Sequence, residues 1–226
     1  MIMSFKVKPI TKAILIISLL FLVGVGAALA LSPQERAASD AARGQKAREI
    51  AATDPYLDSD GDGLTDEFEW IFGTDLNNSD SDGDGHSDFT EIDNAYDPLS
   101  SSTQKFPQKI EIDLKNQRLL YLVNGVRWRE FMVSSGKPSM PTPTGNFQIR
   151  NKAKLAWSKN YGLYMPYWLG IVGGIGIHQL PYWPNGYREG ADHLGQPVSH
   201  GCIRLGIIPA AYLFERVEVG TPVEIY

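Results

Sequence analysis

Two twelve-residue windows that match position for position constrain this chain more than any other feature. The first runs Asp58-Ser59-Asp60-Gly61-Asp62-Gly63-Leu64-Thr65-Asp66-Glu67-Phe68-Glu69. The second runs Asp80-Ser81-Asp82-Gly83-Asp84-Gly85-His86-Ser87-Asp88-Phe89-Thr90-Glu91, at an offset of 22 residues. In both, acids fall at positions 1, 3, 5, 9 and 12 and Gly at position 6. In such a loop alternate side chains turn inward, Gly permits the sharp bend, position 7 offers its carbonyl, and the last Glu binds through both oxygens. That is a donor set for calcium. So many close carboxylates repel one another without a cation. A solvated acidic linker would supply clustered acids, but rarely five acids and a Gly in register twice. The expected ligands are Asp58, Asp60, Asp62, the Leu64 carbonyl, Asp66 and Glu69 in the first loop. In the second they are Asp80, Asp82, Asp84, the His86 carbonyl, Asp88 and Glu91. Ca2+ is expected as a structural ion, and no cofactor is expected for catalysis.

The formal net charge of −5 hides an uneven distribution: 15 of the 26 acids lie between Asp54 and Asp97, where there is no Lys or Arg. The remainder is basic and would suit an anionic substrate such as a wall polymer. No Lys/Arg run stands out, so nucleic acid is not expected as a partner. At 226 residues and 43% hydrophobic composition the chain has room for one medium domain and a small one.

Lys6, Lys8 and Lys12 precede an uncharged apolar run from Ala13 to Leu31. Its length is close to the roughly 20 residues that cross a bilayer as a helix. Ala28-Leu29-Ala30 also fits a signal-peptide cleavage site. Residues 1–31 are thus expected to be a signal peptide or a membrane anchor, and either exports the rest of the chain. Ser32-Pro33 starts a helical spacer, rich in Ala and charged residues, over 32–53. The acidic repeats occupy 54–98, a Ser-rich linker 99–104, and a further domain 105–226.

From Lys105 the pattern changes to period two. Ile110, Ile112 and Leu114 alternate with Glu111 and Asp113. Leu120–Val123 and Val126–Val133 flank Asn124-Gly125, a strong hairpin signal. Phe147–Ile149 and Val217–Ile225 are further strand candidates, and only Pro209–Val217 looks helical. These signals imply a mainly β domain with one short helix. Its chemistry lies in Ser199-His200-Gly201-Cys202-Ile203-Arg204. Cys202 is the one cysteine of the chain, so no intrachain disulfide exists. Small and polar residues precede it and cations flank it, surroundings that favour thiolate. Gly201 lets a substrate carbonyl approach the backbone, where amides can hold an oxyanion. A cysteine nucleophile also needs a base. Of the four histidines, His86 belongs to the acidic repeat, His193 and His200 lie near the cysteine, and His178 comes directly after Gly173–Ile177, which reads as a strand ending at an open edge.

This block resembles the signature of the L,D-transpeptidase catalytic domain family: a His, then Ser/Thr-His-Gly-Cys-x-Asn/Arg. Ser135-Gly136 and Pro141–Phe147 are similar to the family's upstream strand-turn segment, and the resemblance covers about Pro107 to Tyr226. It implies a β-sandwich with Cys202 as nucleophile and His178 as base. Ser199, His200 and Gly201 would shape the pocket and oxyanion site, and Arg204 would support the site or steer a carboxylate. The implied partners are peptidoglycan stem peptides, with the membrane added if the amino-terminal helix is uncleaved. The implied location is the cell envelope, in the periplasm or on the outer face of the cytoplasmic membrane. Two features depart from the family. The interval between His178 and Ser199 is longer than usual, through Pro181–Pro197 with Trp183 and Tyr187, which implies a larger lid or altered acceptor choice. Gln179 stands where Gly or Ser is commoner. The acidic segment, about Asp54 to Pro98 with its Gly73-Thr74-Asp75 link, resembles bacterial thrombospondin type 3 and dockerin-like calcium repeats. Its period is too short for two helix-loop-helix hands.

Two rivals stand beside the transpeptidase reading: a calcium-dependent binding protein with a dead catalytic domain, and a cysteine peptidase. The first predicts slow labelling of Cys202 that is indifferent to His178. The second predicts cut peptides without crosslinks.

Overall fold

The computed structural model describes residues 32–226, so the apolar run expected to lead or anchor the chain lies outside the described residues. No helix among the described residues is long and apolar enough to cross a membrane. The chain divides into two units, Met1–Ala42 and Arg43–Tyr226, and the second carries the repeats and the β domain together. The helix expected to start at Ser32-Pro33 is α1 (Pro33–Thr53). It opens on a reciprocal cap in which Ser32 Oγ accepts from the Glu35 amide (3.3 Å) and Glu35 Oε2 accepts from the Ser32 amide (2.9 Å).

The sheet has nine strands: β1 (Gln108–Asp113), β2 (Arg118–Val123), β3 (Val126–Ser134), β4 (Gly145–Gln148), β5 (Asn151–Ser158), β6 (Leu163–Val172), β7 (Ile175–Gln179), β8 (Ile203–Leu205) and β9 (Pro222–Ile225), in the order β4-β9-β1-β2-β3-β8-β7-β6-β5. The β2–β3 hairpin turns on Asn124 (φ 51°) and Gly125 (φ 77°), the two left-handed positions that an Asn-Gly turn supplies at little cost. The two edge strands, β4 and β5, are joined through Ile149 and Arg150 alone. Edges of a nine-stranded sheet can be so linked only if the sheet curls over. The expected sandwich therefore takes the form of one curled sheet, closed around buried Ile110, Ile112, Tyr121, Leu169, Ile177 and Ile203.

Helix α4 (Ile207–Arg216) lies two residues ahead of the expected start. Gly206 precedes its first turn, and Pro209 is tolerated there because its missing N–H would have no helical partner. The expected strand from Val217 onward begins only at Pro222, because Val217 caps α4 and Gly220 turns the chain at φ 99°. His178 does not lie on an edge strand: β7 sits between β8, to which it runs parallel, and β6.

Each acidic loop leads into a short helix, α2 (Asp66–Phe72) and α3 (Asp88–Asp93). Phe68, Phe72 and Phe89 surround Trp128 of β3, with ring centroids 5.0, 6.1 and 6.0 Å away. Leu64 and Ile92 are fully buried in the same core as the sheet. Asp93, 7% exposed, ends α3 among groups of the β domain. Its Oδ1 accepts from Trp128 Nε1 (3.1 Å), Arg129 Nη2 (3.2 Å) and the Tyr212 hydroxyl (2.8 Å), and Arg216 pairs with Oδ2. Burial alone would raise the Asp93 pKa. Hydrogen bonds from Tyr212, Arg216 and Trp128 and the Arg216 charge outweigh it and hold the carboxyl below its usual range.

Candidate active site

Cys202 and His178 come from different elements and line one cavity of about 270 Å³, together with Tyr161, Gly174, Ile175, His200 and Arg204 among others. His178 is the fourth residue of the five in β7 and only 2% exposed. Its Nδ1 lies 2.5 Å from the carbonyl oxygen of Gln179. A carbonyl only accepts, so Nδ1 carries the proton and Nε2 is left as the basic nitrogen. Burial pushes the His178 pKa down to about 4, against the raising effect of that hydrogen bond, and the Arg204 charge lowers it further. The imidazole is therefore neutral at pH 7, as a general base must be.

Cys202 sits just ahead of β8, partly exposed at the cavity wall. Close packing around the sulfur raises the thiol pKa, while the Gly176 amide and the Arg204 charge act in the lowering direction. Sγ is 3.9 Å from the Gly174 carbonyl oxygen. The resting cavity thus holds a neutral thiol and a neutral imidazole.

The turn carrying the cysteine is tied from inside. Ser199, fully buried, donates to the Cys202 carbonyl (2.5 Å) and accepts from the Gly201 amide (3.0 Å). With the Gly201 amide so committed, the Cys202 amide is the better candidate to meet a substrate oxyanion. Gly201 itself is at φ 112°, a conformation that disfavours any side chain. Thr142, absent from the sequence-derived site set, donates to the Gly201 carbonyl (2.9 Å) and accepts from the Gly136 amide (2.9 Å). A Cβ on Gly136 would lie 2.3 Å from the Met140 carbonyl oxygen, so only Gly allows this segment to fold against the cysteine turn. Buried Gln117 extends the brace, binding Ser135 through Nε2 (to Oγ, 2.7 Å) and Oε1 (from the amide, 2.8 Å). His200 is exposed and stacks on Tyr161 at 4.3 Å, so its ring forms cavity wall. From the long interval after β7 only Pro181 reaches the cavity; Trp183 and Tyr187 pack on each other instead.

Arg204 lies in register with His178 across the β7–β8 pair and is 6% exposed. Its Nη1 is 2.6 Å from Oε1 of Glu189, itself 8% exposed. Glu189 is a second residue that the sequence did not single out.

The acidic loops gather their carboxylates as the repeat predicts. One oxygen from each of Asp58, Asp60 and Asp62 lies within 4.8 Å of the others, and Asp80, Asp82 and Asp84 do the same. Glu69 and Glu91 are 1% and 5% exposed, and one oxygen of each is buried without a partner, as are Oδ2 of Asp60 and Asp82. Desolvation, with repulsion from neighbouring acids, pushes Glu69 up to about 8 and Glu91 up to about 7. Buried carboxylate oxygens without donors fit a cation. Asp66 and Asp88, at position 9, are also tied into their own loops. Both oxygens of each accept from the amide and hydroxyl of Ser59 or Ser81, so position 9 clasps the loop. Leu64 and His86 come two residues after the fifth-position acids, whose Oδ1 accepts their amides.

Fold and site together define the class: the chain belongs to the YkuD family, the L,D-transpeptidase catalytic domain, which matches residues 107–225. Among curated proteins it is similar to L,D-transpeptidase 1 of Mycobacterium tuberculosis (strain ATCC 25618 / H37Rv), with 34% identity over 117 residues, 45% of this chain and 43% of that protein. The chain therefore spans less than half the length of this curated relative. Similar solved structures include LD transpeptidase LdtMt1 in complex with imipenem, at 26% identity and TM-score 0.48, covering 54% of this chain and 60% of that one. An L,D-transpeptidase from Stackebrandtia nassauensis has 26% identity and TM-score 0.46, covering 57% and 62%.

Proposed function

We propose that this protein is a peptidoglycan L,D-transpeptidase of the cell envelope, with Cys202 as nucleophile and His178 as base. The observation that carries the reading is the shared cavity, in which a neutral imidazole with Nε2 free faces the same space as the only thiol of the chain.

Nε2 of His178 takes the Sγ proton as sulfur attacks the carbonyl carbon after the third residue of a tetrapeptide stem. The C–S bond forms and the carbonyl electrons move to oxygen, which the Cys202 amide stabilises. Collapse breaks the C–N bond, and the imidazolium returns its proton to the departing D-Ala amine. The thioester then accepts an amine of a second stem, His178 removing one amine proton, and the thiolate leaves and is reprotonated. The product is a crosslink made without ATP, as suits an exported enzyme.

The acidic loops would hold Ca2+ through Asp58, Asp60, Asp62, Asp66 and Glu69 in one and Asp80, Asp82, Asp84, Asp88 and Glu91 in the other, with the Leu64 and His86 carbonyls. The ion would supply countercharge for the buried carboxylates and fix the loops. Residues 1–31 would export the chain, or anchor it to the membrane if retained.

The test is incubation of the purified full chain and its Cys202→Ala variant with tetrapeptide-stem muropeptides, read by mass spectrometry. Dimers lacking one D-Ala, absent from the variant, are expected. Tripeptide monomers alone would move the activity to a carboxypeptidase, and no Cys202-dependent change would overturn the reading.

A further inference from the structure

The segment between β7 and the cysteine turn ties itself together before it reaches the site. Tyr182 bridges both Tyr164 of β6 and Arg188, the Trp183 amide donates to the Tyr187 carbonyl (2.9 Å), and the Glu189 amide donates to the Pro181 carbonyl (3.0 Å). The Arg188 guanidinium lies 4.9 Å from the centroid of the Tyr182 ring. Besides Pro181, which lines the cavity, this closed loop sends Glu189 inward. Glu189 is 8% exposed and meets Arg204 at 2.6 Å, and His193 Nδ1 lies 2.9 Å from the same oxygen.

Arg204 occupies an unusual place. It is a buried cation in register with the base on β7 and with Ser134 on β3, and it lines the cavity of Cys202. Its Nε–H is buried without a protein partner. A buried guanidinium without countercharge is strongly unfavourable, and it would withdraw proton affinity from every group nearby. A guanidinium has five N–H donors, and Arg204, held by Glu189 at Nη1 while the residue lines the cavity, keeps donors for a substrate oxygen there.

We propose that Glu189 is a positioning residue: it fixes Arg204 beside His178 so that the edge of the guanidinium lining the cavity is offered to a carbonyl or carboxylate oxygen of the stem peptide, and it cancels the Arg204 charge at the catalytic pair. This rests on the transpeptidase reading for the identity of the substrate, but not for the charge relationship.

The charged and titratable groups facing this pair are few. Arg204 faces both His178 and Cys202; Glu189 faces Arg204 and His193; His200 feels Lys137, Arg204 and Glu189. Arg204 acts to lower both His178 and Cys202, so unmasking it moves both in one direction.

The test is the pH profile of Cys202 alkylation by iodoacetamide in the full chain, alongside KM for muropeptide. Glu189→Gln should shift both limbs of the profile to lower pH by roughly one unit, and Arg204→Met should shift them to higher pH. The double variant E189Q/R204M should return the limbs to their wild-type positions, yet keep a KM raised about tenfold, the loss of one charge-assisted hydrogen bond. Glu189→Asp, which keeps the charge with a shorter reach, should leave the limbs in place and raise KM; it also serves if Glu189→Gln fails to fold. Shifts of the same sign in E189Q and R204M, or unshifted limbs in folded E189Q, would overturn the proposal. Alkylation needs no substrate, so it remains decisive even if muropeptides are not turned over.

Discussion

Asp93 joins the repeats to the β domain, and its removal has a calculable cost. Asp93→Ala withdraws the acceptor shared by Trp128 Nε1, Arg129, Tyr212 and Arg216. Breaking a buried ion pair by deleting one partner costs about 3–5 kcal/mol. Arg129 has a side chain 31% exposed and also lies over the Trp128 ring at 4.0 Å, so it recovers water and keeps a contact. Arg216, 17% exposed, keeps its bond from Nε to the Asp93 carbonyl (2.7 Å). The lower half of the range, about 3 kcal/mol, is therefore expected for Asp93→Ala, and about 1–2 kcal/mol for Asp93→Asn, which keeps the shape and one acceptor. For a unit of this size about 3 kcal/mol is a fall in Tm of roughly 6–12 °C. Thermal and urea unfolding by circular dichroism, with tryptophan fluorescence tracked in parallel, would measure it. The shared core predicts one transition that moves as a whole. A loss below about 1 kcal/mol, or a separate early transition of the repeats that leaves the main one in place, would refute the reasoning.

Removal of calcium should loosen α2 and α3 from Trp128, seen as a change in tryptophan fluorescence on chelation that calcium reverses; an unchanged spectrum, with no calcium bound by titration calorimetry, would count against the metal sites. His178 stays neutral in the folded protein to about pH 4, whereas an exposed histidine protonates near 6.5. The unfolded chain then binds more protons below 6.5, so stability falls as pH drops from 6.5 towards 4, by up to ~3 kcal/mol. His178→Gln should lack that slope, which pH-dependent urea unfolding of the two proteins would compare. Thr142→Val removes the hydroxyl between Gly136 and Gly201 and should lower kcat/KM about 10-fold or more, with stability reduced by only about 1–2 kcal/mol; equal loss in stability and none in rate would deny Thr142 its bracing role.

The features legible in the sequence are those whose cause is local. Asn124-Gly125 specifies its own turn, and the alternation of Ile110 and Ile112 specifies the face of β1. The acidic windows specify loops in which three aspartates converge, and His200 and Cys202 of the Ser-His-Gly-Cys run line the cavity with His178. Strands β5 and β6 were not legible, because Lys152, Lys154, Pro166 and Gly170 interrupt the apolar pattern and pairing across the hairpin decides their conformation. Glu189 and Thr142 were hidden for a different reason. Glu189 acts on a residue 15 positions away, and Thr142 on one 59 positions away. Asp93 read as one more acid in an acidic segment, while all four of its side-chain partners lie on β3 and α4, up to 123 residues later. Only the curl of the sheet and the seating of α4 bring those groups together.

The central claim is that Cys202 carries the acyl group, and intact-mass measurement of the protein tests it most directly. The full chain would be mixed with a tetrapeptide-stem donor whose amines are blocked, and sampled within seconds. The account predicts an adduct equal to the donor less D-Ala, labile to hydroxylamine as a thioester is, absent from Cys202→Ala and slow to form in His178→Ala. An adduct that survives in Cys202→Ala, or D-Ala release by the variant at the wild-type rate, would contradict it.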